Sequence, residues 1–273
     1  FWRHNPHKAE DPAFLRPDGS VAPGYLALRT VLEQLDGVTA VLDVPSPMLP
    51  SEAMPRRVWA FVLQYGKAPD EKKSWFSLKK PKGPKPRYTL AVWWETRDPR
   101  VSTSITLRTS APRLTVCDLW GNTVELQPTS GAALIAVDAF PRFVDLGEAG
   151  DVEILSPFAR FDPPGLVLSE KGKNILGMQL NNDQRLFRGK ITCDIITRRW
   201  PDTGQVNQQQ LELGPADHYT LQAKVDIPDG ARKGQLFEIQ TEILLGTRRI
   251  GYLTLPVYYV PQEEIDKAVA ERK

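Results

Sequence analysis

Residues 14–37 read FLRPDGSVAPGYLALRTVLEQLDG, and they set the order of the chain: one amphipathic helix first, strands afterwards. Tyr25, Leu28, Val31, Leu32 and Leu35 recur at three- and four-residue spacing and so fall on one helical face. Pro23 suits the first helical turn, where its missing N–H costs nothing. Gly37 can take the left-handed conformation that ends a helix, and Asp18-Gly19 ahead of it signals a turn. Burying one large side chain of such a stripe is worth roughly 1.5–3 kcal/mol, so the stripe needs an apolar partner. A self-contained module would bury it on its own strands; a piece of a larger assembly would leave it bare.

Beyond the helix the chain reads as short strands cut by turns, which predicts a mainly β fold of two antiparallel sandwiches. Residues 42–55 are Pro-rich and read as an extended linker. A first sandwich is expected over 56–148, with strands at 57–65, 87–96, 104–108, 113–117, 123–127, 132–137 and 141–145. Leu90, Val92 and Trp94 share the core face of the second of these, which turns Trp93 outward with Ala91 and Glu95. Residues 118–122, DLWGN, form a tight turn in which Gly121 supplies the positive φ. Residues 147–151, GEAGD, read as a hinge-like break. A second sandwich is expected over 152–260, with strands at 166–168, 174–180, 188–196, 208–213 and 219–227, then a hairpin of 235–245 and 248–259 on Gly246-Thr247. The charged tail 261–273 has acids first and bases last, which suits a short helix.

Composition narrows the partners. A length of 273 residues has room for about two domains. The net charge of +2 gives no global pull toward nucleic acid or membrane. No apolar run is long enough to span a bilayer. The two cysteines, Cys117 and Cys193, fall in different predicted domains, so a stabilising disulfide is not expected.

Certain phrases are more specific than their pattern. LRPDGSVAPGYLALRTVLEQL, through Asp18, Gly19, Pro23, Tyr25, Ala27 and Leu28, resembles the segment that leads into the last helix of (β/α)8-barrel glycoside hydrolases. Gly24 departs from that family, which usually has a helix former there. LAVWW, LTVCDLWGNTVEL and FPRFVDL resemble phrases of the small β domain that follows such barrels. LGPADHYTLQAKVDIPDGARKGQLFEIQTEI, through Pro228, Gly230 and Gly234, resembles the immunoglobulin-like accessory modules of carbohydrate enzymes; Pro215-Ala216 departs from the usual pattern. The resemblance implies that residues 1–41 are the terminal segment and last helix of a truncated barrel. The chain opens on Phe1 without a signal peptide, which suits a mature protein or a fragment.

The same resemblance implies a parent that is a retaining O-glycoside hydrolase, secreted or on the cell surface, acting on a polysaccharide or glycan. Retaining hydrolysis needs two carboxylates about 5 Å apart at the C-terminal ends of barrel strands. In the family these precede the last strand, so none of the 33 acidic residues here inherits a catalytic role and this chain alone is expected to be inactive. Glu95, Glu125 and Glu148 read as solvated. Two substrate-binding candidates remain. Trp2 stands where the family often places an aromatic floor for the sugar, and the alternative is a Trp packed under the next loop. Trp120 is placed for exposure by the DLWGN turn. Trp93 either grips a sugar or is covered by a neighbouring domain, the second being preferred.

Residues 67–87 carry eight basic residues against two acids, interrupted by Trp75 and Phe76. The run reads as a solvated hairpin extension, or as a polyanion contact through Lys72, Lys73, Lys79, Lys80, Lys82 and Lys85. An anionic glycan is the favoured polyanion, and a free-standing two-sandwich binding or adhesion module contacting it is the alternative function. Nucleic acid is not expected as a partner. His4 and His7, with Glu10 and Asp11, lack the frame of a metal site, and His218 reads as a surface residue. No P-loop, dinucleotide-binding fingerprint, CxxC pair or nucleophile elbow occurs, so no metal and no cofactor is expected.

Overall fold

Strands dominate because apolar residues alternate with polar ones in segment after segment, and the computed structural model places them as follows. It describes residues 21–49, 56–66, 85–96, 101–170, 174–182, 189–200 and 205–271. The helix α1 (Pro23–Leu35) leads into β1 (Val38–Asp43), β2 (Met48–Leu49), β3 (Arg56–Tyr65), β4 (Arg87–Trp94), β5 (Thr103–Arg108) and β6 (Leu114–Cys117). Then come β7 (Thr123–Leu126), β8 (Ala132–Val137), β9 (Arg142–Gly147), β10 (Glu153–Leu155), β11 (Ala159–Phe161) and β12 (Leu166–Leu168). The chain continues with β13 (Ile175–Asn181), β14 (Ile191–Trp200), β15 (Gln205–Leu213), β16 (His218–Lys224), β17 (Leu236–Leu245), β18 (Arg248–Tyr259) and α2 (Gln262–Glu271). The fold is mainly β, as the alternation predicts.

Among the described residues the strands form three sheets: seven strands ordered β1-β3-β4-β9-β6-β7 with β2 on β3, eight ordered β10-β5-β8-β18-β17-β14-β15 with β12 on β18, and three ordered β11-β13-β16. The eight-stranded sheet is the middle layer. On one face Ala133, Ile135, Val137 and Tyr252 meet Val58, Leu90, Val92 and Trp94 of the seven-stranded sheet. On the other face Leu134, Ile195, Ile239, Leu253 and Leu255 meet Phe161, Leu176, Met178 and Leu180. The two cores therefore share one sheet and are staggered along it.

The seam between them is the parallel pairing of β8 with β18, where Gly251 lies opposite Leu134 and Tyr252 opposite Ile135. The glycine lets the strands close up, since a Cβ there would sit 3.0 Å from Leu134 Cβ. The segment 147–151 is a turn pinned to β5's end: Asp151 accepts hydrogen bonds from the Ser110 backbone N–H and hydroxyl. The strand that follows it, β10, pairs with β5 and puts Ile154 into the first core.

One expectation needs correction. Residues 42–49 do not form a linker running away from the helix, and 50–55 lie outside the described residues. The strand β1 pairs along β3 from Val38↔Tyr65 to Asp43↔Phe61, β2 pairs with Arg56 and Arg57, and Val44 and Leu49 are buried in the first core. Pro45 and Pro47 interrupt this edge without removing it from the sheet, as prolines can where no ladder N–H is needed.

The helix α1 forms where expected and leaves most of the stripe in solvent. Thr30 is its buried residue, Leu26, Ala27, Val31 and Gln34 are half-buried, and Val31 packs with Leu63, Ala91 and Phe143 on the outer face of the seven-stranded sheet. Small side chains at Ala27 and Thr30 let the helix come close to the DLWGN turn, where a Cβ on Gly121 would lie 3.6 Å from Thr30 Oγ1. The Tyr65 hydroxyl donates to the Gln34 carbonyl at 2.6 Å and fixes the helix's far end.

Candidate functional site

Two surfaces are built by this arrangement. The first is apolar. With α1 lying on the side that carries Leu26, Ala27, Thr30, Val31 and Gln34, Tyr25, Leu28, Leu32 and Leu35 keep 41%, 43%, 59% and 48% of their surface in solvent. Beside the helix, β3 and β4 turn Trp59, Phe61 and Trp93 to the same outer face. Their rings stack, with Phe61 and Trp93 centroids 5.7 Å apart and Trp59 and Trp93 centroids 6.3 Å apart. The Arg57 guanidinium covers the Trp59 ring at 3.9 Å. Arg57, Trp59 and Phe61 thus make a ladder along one strand, each covering the next. Ring faces in such a ladder are already occupied, which suits packing against another surface better than stacking on a free sugar.

Trp120 sits at the same end of the sheet. The Asp118 carboxylate accepts from the Trp120 N–H at 2.9 Å and from the Asn122 N–H at 2.8 Å, and Gly121 takes φ 88°. This local closure holds the indole out, where it meets Phe140 edge-on at 5.1 Å. Trp93 stands as the sequence predicts, outward while Leu90, Val92 and Trp94 are fully buried.

The second surface is polar. The front face of the shared sheet runs past the edge of the seven-stranded sheet, and a cleft of about 360 Å³ opens there against the β6–β7 hairpin. Tyr252, Thr254, Gln240, Glu238 and Trp200 line it from the sheet, Asp118 and Asn122 from the hairpin, and Arg142 from its inner end. Arg142 pairs with Asp138 at 2.9 Å, with 13% and 17% of their side chains exposed, and also reaches Thr254 Oγ1 at 3.1 Å. Its Nε is buried without a hydrogen-bond partner. Burial, then the charge of Glu238, pushes the Tyr252 hydroxyl up, so it stays protonated and able to donate. Neighbouring Glu242 is consumed by Arg198 at 2.7 Å and by Arg249.

Among the described residues the buried polar side chains are Thr, Ser and Asn, with no Asp or Glu. A glycosidase general acid needs a carboxyl pushed up by burial. Asp151 is moved the other way, held low by the Ser110 hydroxyl. Glu95 is exposed, Glu125 pairs with Arg113 at 3.6 Å, and Glu148 pairs with Lys85 at 2.5 Å. Among the described residues no group of three His, Cys, Asp or Glu could hold a metal, and no described helix is long and apolar enough to cross a membrane.

Of the residues singled out in the sequence, Trp2, His4, His7, Glu10, Asp11, Lys72, Lys73, Lys79, Lys80 and Lys82 lie outside the described residues. Lys85 is engaged by Glu148. His218 opens β16, opposite Asn181, with its side chain exposed. Cys117 is half-buried in β6 and Cys193 buried in β14, in separate clusters. The sequence reading missed the cleft. The signal available was the outward row Glu238, Gln240, Glu242 in LFEIQTEILL, alternating with the buried row Phe237, Ile239, Thr241, Ile243.

No family model and no curated protein matches the chain. Solved glycoside hydrolases of family 2 are similar to part of it. A family 2 β-glucuronidase shares 8% identity over 63% of this chain and 24% of its own, with a TM-score of 0.28. The Bacteroides uniformis β-glucuronidase shares 11% over 63% of this chain and 26% of its own, also at 0.28. A calcium-binding mutant of Bacteroides uniformis β-glucuronidase 2 shares 12% over 80% of this chain and 28% of its own, at 0.29. The chain spans about a quarter of the length of these enzymes. At such identities and TM-scores the likeness transfers no residue role.

Proposed function

We propose that this chain is a non-catalytic region of a glycoside hydrolase-like protein, in which β-sandwich structure supports a catalytic barrel. In this reading residues 1–41 belong with the barrel, 56–148 and 152–260 are the two β units, the second of immunoglobulin-like type, and 261–273 is a tail. The retaining carboxylates belong to the barrel, and the parent is secreted or on the cell surface and acts on a glycan.

One observation carries the reading: the exposed stripe of Leu28, Leu32 and Leu35. At roughly 1.5–3 kcal/mol per large apolar side chain, leaving three of them half in water is costly unless another surface covers them. The aromatic ladder beside the stripe extends the same docking face. A free-standing binding module would have turned that stripe onto its own sheet.

The test has two arms. The chain alone, given aryl glycosides, should release no aryl alcohol; turnover by the purified chain overturns the non-catalytic reading. The chain should also bind the apolar dye ANS, and the double variant Leu28→Gln/Leu32→Gln should lose most of that signal with Tm unchanged. Unfolding of the variant would mean that the stripe is buried and the docking face does not exist.

A further inference from the structure

We infer that the cleft between the β6–β7 hairpin and the front face of the shared sheet binds a neutral sugar ring. The inference rests on the carbohydrate-accessory reading for its setting, but its site is separate from the apolar docking face. The cleft itself selects the ligand class. Its volume of about 360 Å³ falls among small-ligand sites, which run from about 300 to 1,000 Å³.

Three features select the ligand. Trp200 stands at the rim with 55% of its surface exposed, and among the described residues no ring or cation stacks on it. It differs in this from Trp59, whose face Arg57 covers. A free indole face matches the C–H face of a pyranose, whose ring carbons are apolar while its edge is polar.

The walls then offer mixed donors and acceptors, which hydroxyl groups can satisfy in both senses. The Gln240 amide donates to Glu238 Oε1 at 2.8 Å, which leaves that carboxylate's second oxygen and the amide oxygen as acceptors. The Tyr252 hydroxyl, kept protonated by burial, is a donor. Arg142 lines the same cleft and carries a buried Nε–H with no hydrogen-bond partner, a group whose burial is costly.

Charge sets the third condition. Asp118 and Glu238 face the cleft, while the single lining cation, Arg142, is already answered by Asp138. An anionic sugar would enter against two carboxylates with no free cation to receive it. The cleft therefore favours a neutral hexose over a uronate or a sulfated unit, the opposite preference from the polyanion contact read in the basic run.

The experiment is a titration of the ¹⁵N-labelled chain with methyl glycosides of glucose, galactose and mannose, with glucuronate and inorganic sulfate alongside. The Trp200 indole N–H should shift saturably with at least one neutral glycoside and with neither anion, with a Kd on the order of 1 mM. Trp200→Ala should weaken binding at least tenfold, and Gln240→Ala severalfold, while Trp59→Ala leaves it unchanged. The inference falls if no neutral glycoside shifts Trp200, if only the anions do, or if Trp200→Ala binds as well as the parent chain. ANS binding read in the same samples reports on the docking face, so failure of one reading is visible apart from failure of the other.

Discussion

Replacing Gly251 by alanine should weaken the joint that holds the two cores together. The added Cβ would meet Leu134 Cβ at 3.0 Å, Leu134 Cδ2 at 3.3 Å and Ile243 Cβ at 3.5 Å. Leu134 and Ile243 are both fully buried, so neither can swing aside into solvent. Gly251 shows no positive φ, so the penalty is one of packing and not of backbone strain. Forcing one methyl into a filled core costs about 1–3 kcal/mol. In a protein of this length each kcal/mol moves Tm by about 2–4 °C, which gives a fall of roughly 2–12 °C. Scanning calorimetry of the full chain reads this directly. Gly24→Ala is the control, because nothing lies within 4 Å of its position in the first turn of α1. It should hold or raise Tm, since alanine is the better helix former. An unchanged Tm for Gly251→Ala would mean that β8 and β18 do not touch as described, and the shared sheet would be refuted.

Other outcomes follow from single contacts. Gly177→Ala should cost more than Gly251→Ala, because its Cβ would fall 2.1 Å from the Asp162 carbonyl oxygen, and main chain cannot move aside alone. The hydrogen bond from Asp162 N–H to the Gly177 carbonyl, 3.0 Å long, should open first, seen as faster exchange of that amide; unchanged exchange would contradict the β11–β13 contact. Burial, then the charge of Asp194, pushes the Cys193 thiol from 9.0 up to about 11. The folded state thus holds the proton where the unfolded chain releases it, so this stabilisation is complete below pH 9.0 and fades as pH rises toward about 11. Cys193→Ala should flatten the stability profile across that interval, by an amount on the order of 2 kcal/mol. A profile identical to the parent's would show that Cys193 is not buried.

Much of the β structure was legible because strands carry their own signature. The alternation RYTLAVWW sorts Leu90, Val92 and Trp94 inward from Trp93 outward without any knowledge of partners. Gly121 and Gly246 mark their turns by composition, and both take positive φ. What the sequence could not show was which surfaces meet. The stripe on α1 states that an apolar partner is needed, but helix orientation on a sheet depends on tertiary contacts. Here the compact pair Ala27 and Thr30 is turned inward, and the larger leucines stay outside. The pairing of Gly251 with Leu134 joins residues more than a hundred positions apart, and nothing local announces it. Proline content made residues 42–55 look like a linker, although edge strands tolerate proline. The cleft escaped notice for the same reason as the seam: its lining comes from β6, β7, β8, β9, β14, β17 and β18, which only the fold brings together.

The exposed face of α1 is tested most directly by hydrogen exchange with side-chain labelling. Single cysteines placed at Leu28 and Leu32 in the Cys117→Ser/Cys193→Ser chain should react with a thiol reagent at nearly the rate of a free thiol. A cysteine at Thr30 should be protected, and the amides of α1 should still exchange slowly because the helix is anchored through Val31 and Tyr65. Protection at Leu28 and Leu32 as strong as at Thr30 would show the stripe buried within this chain, and the docking reading would be wrong.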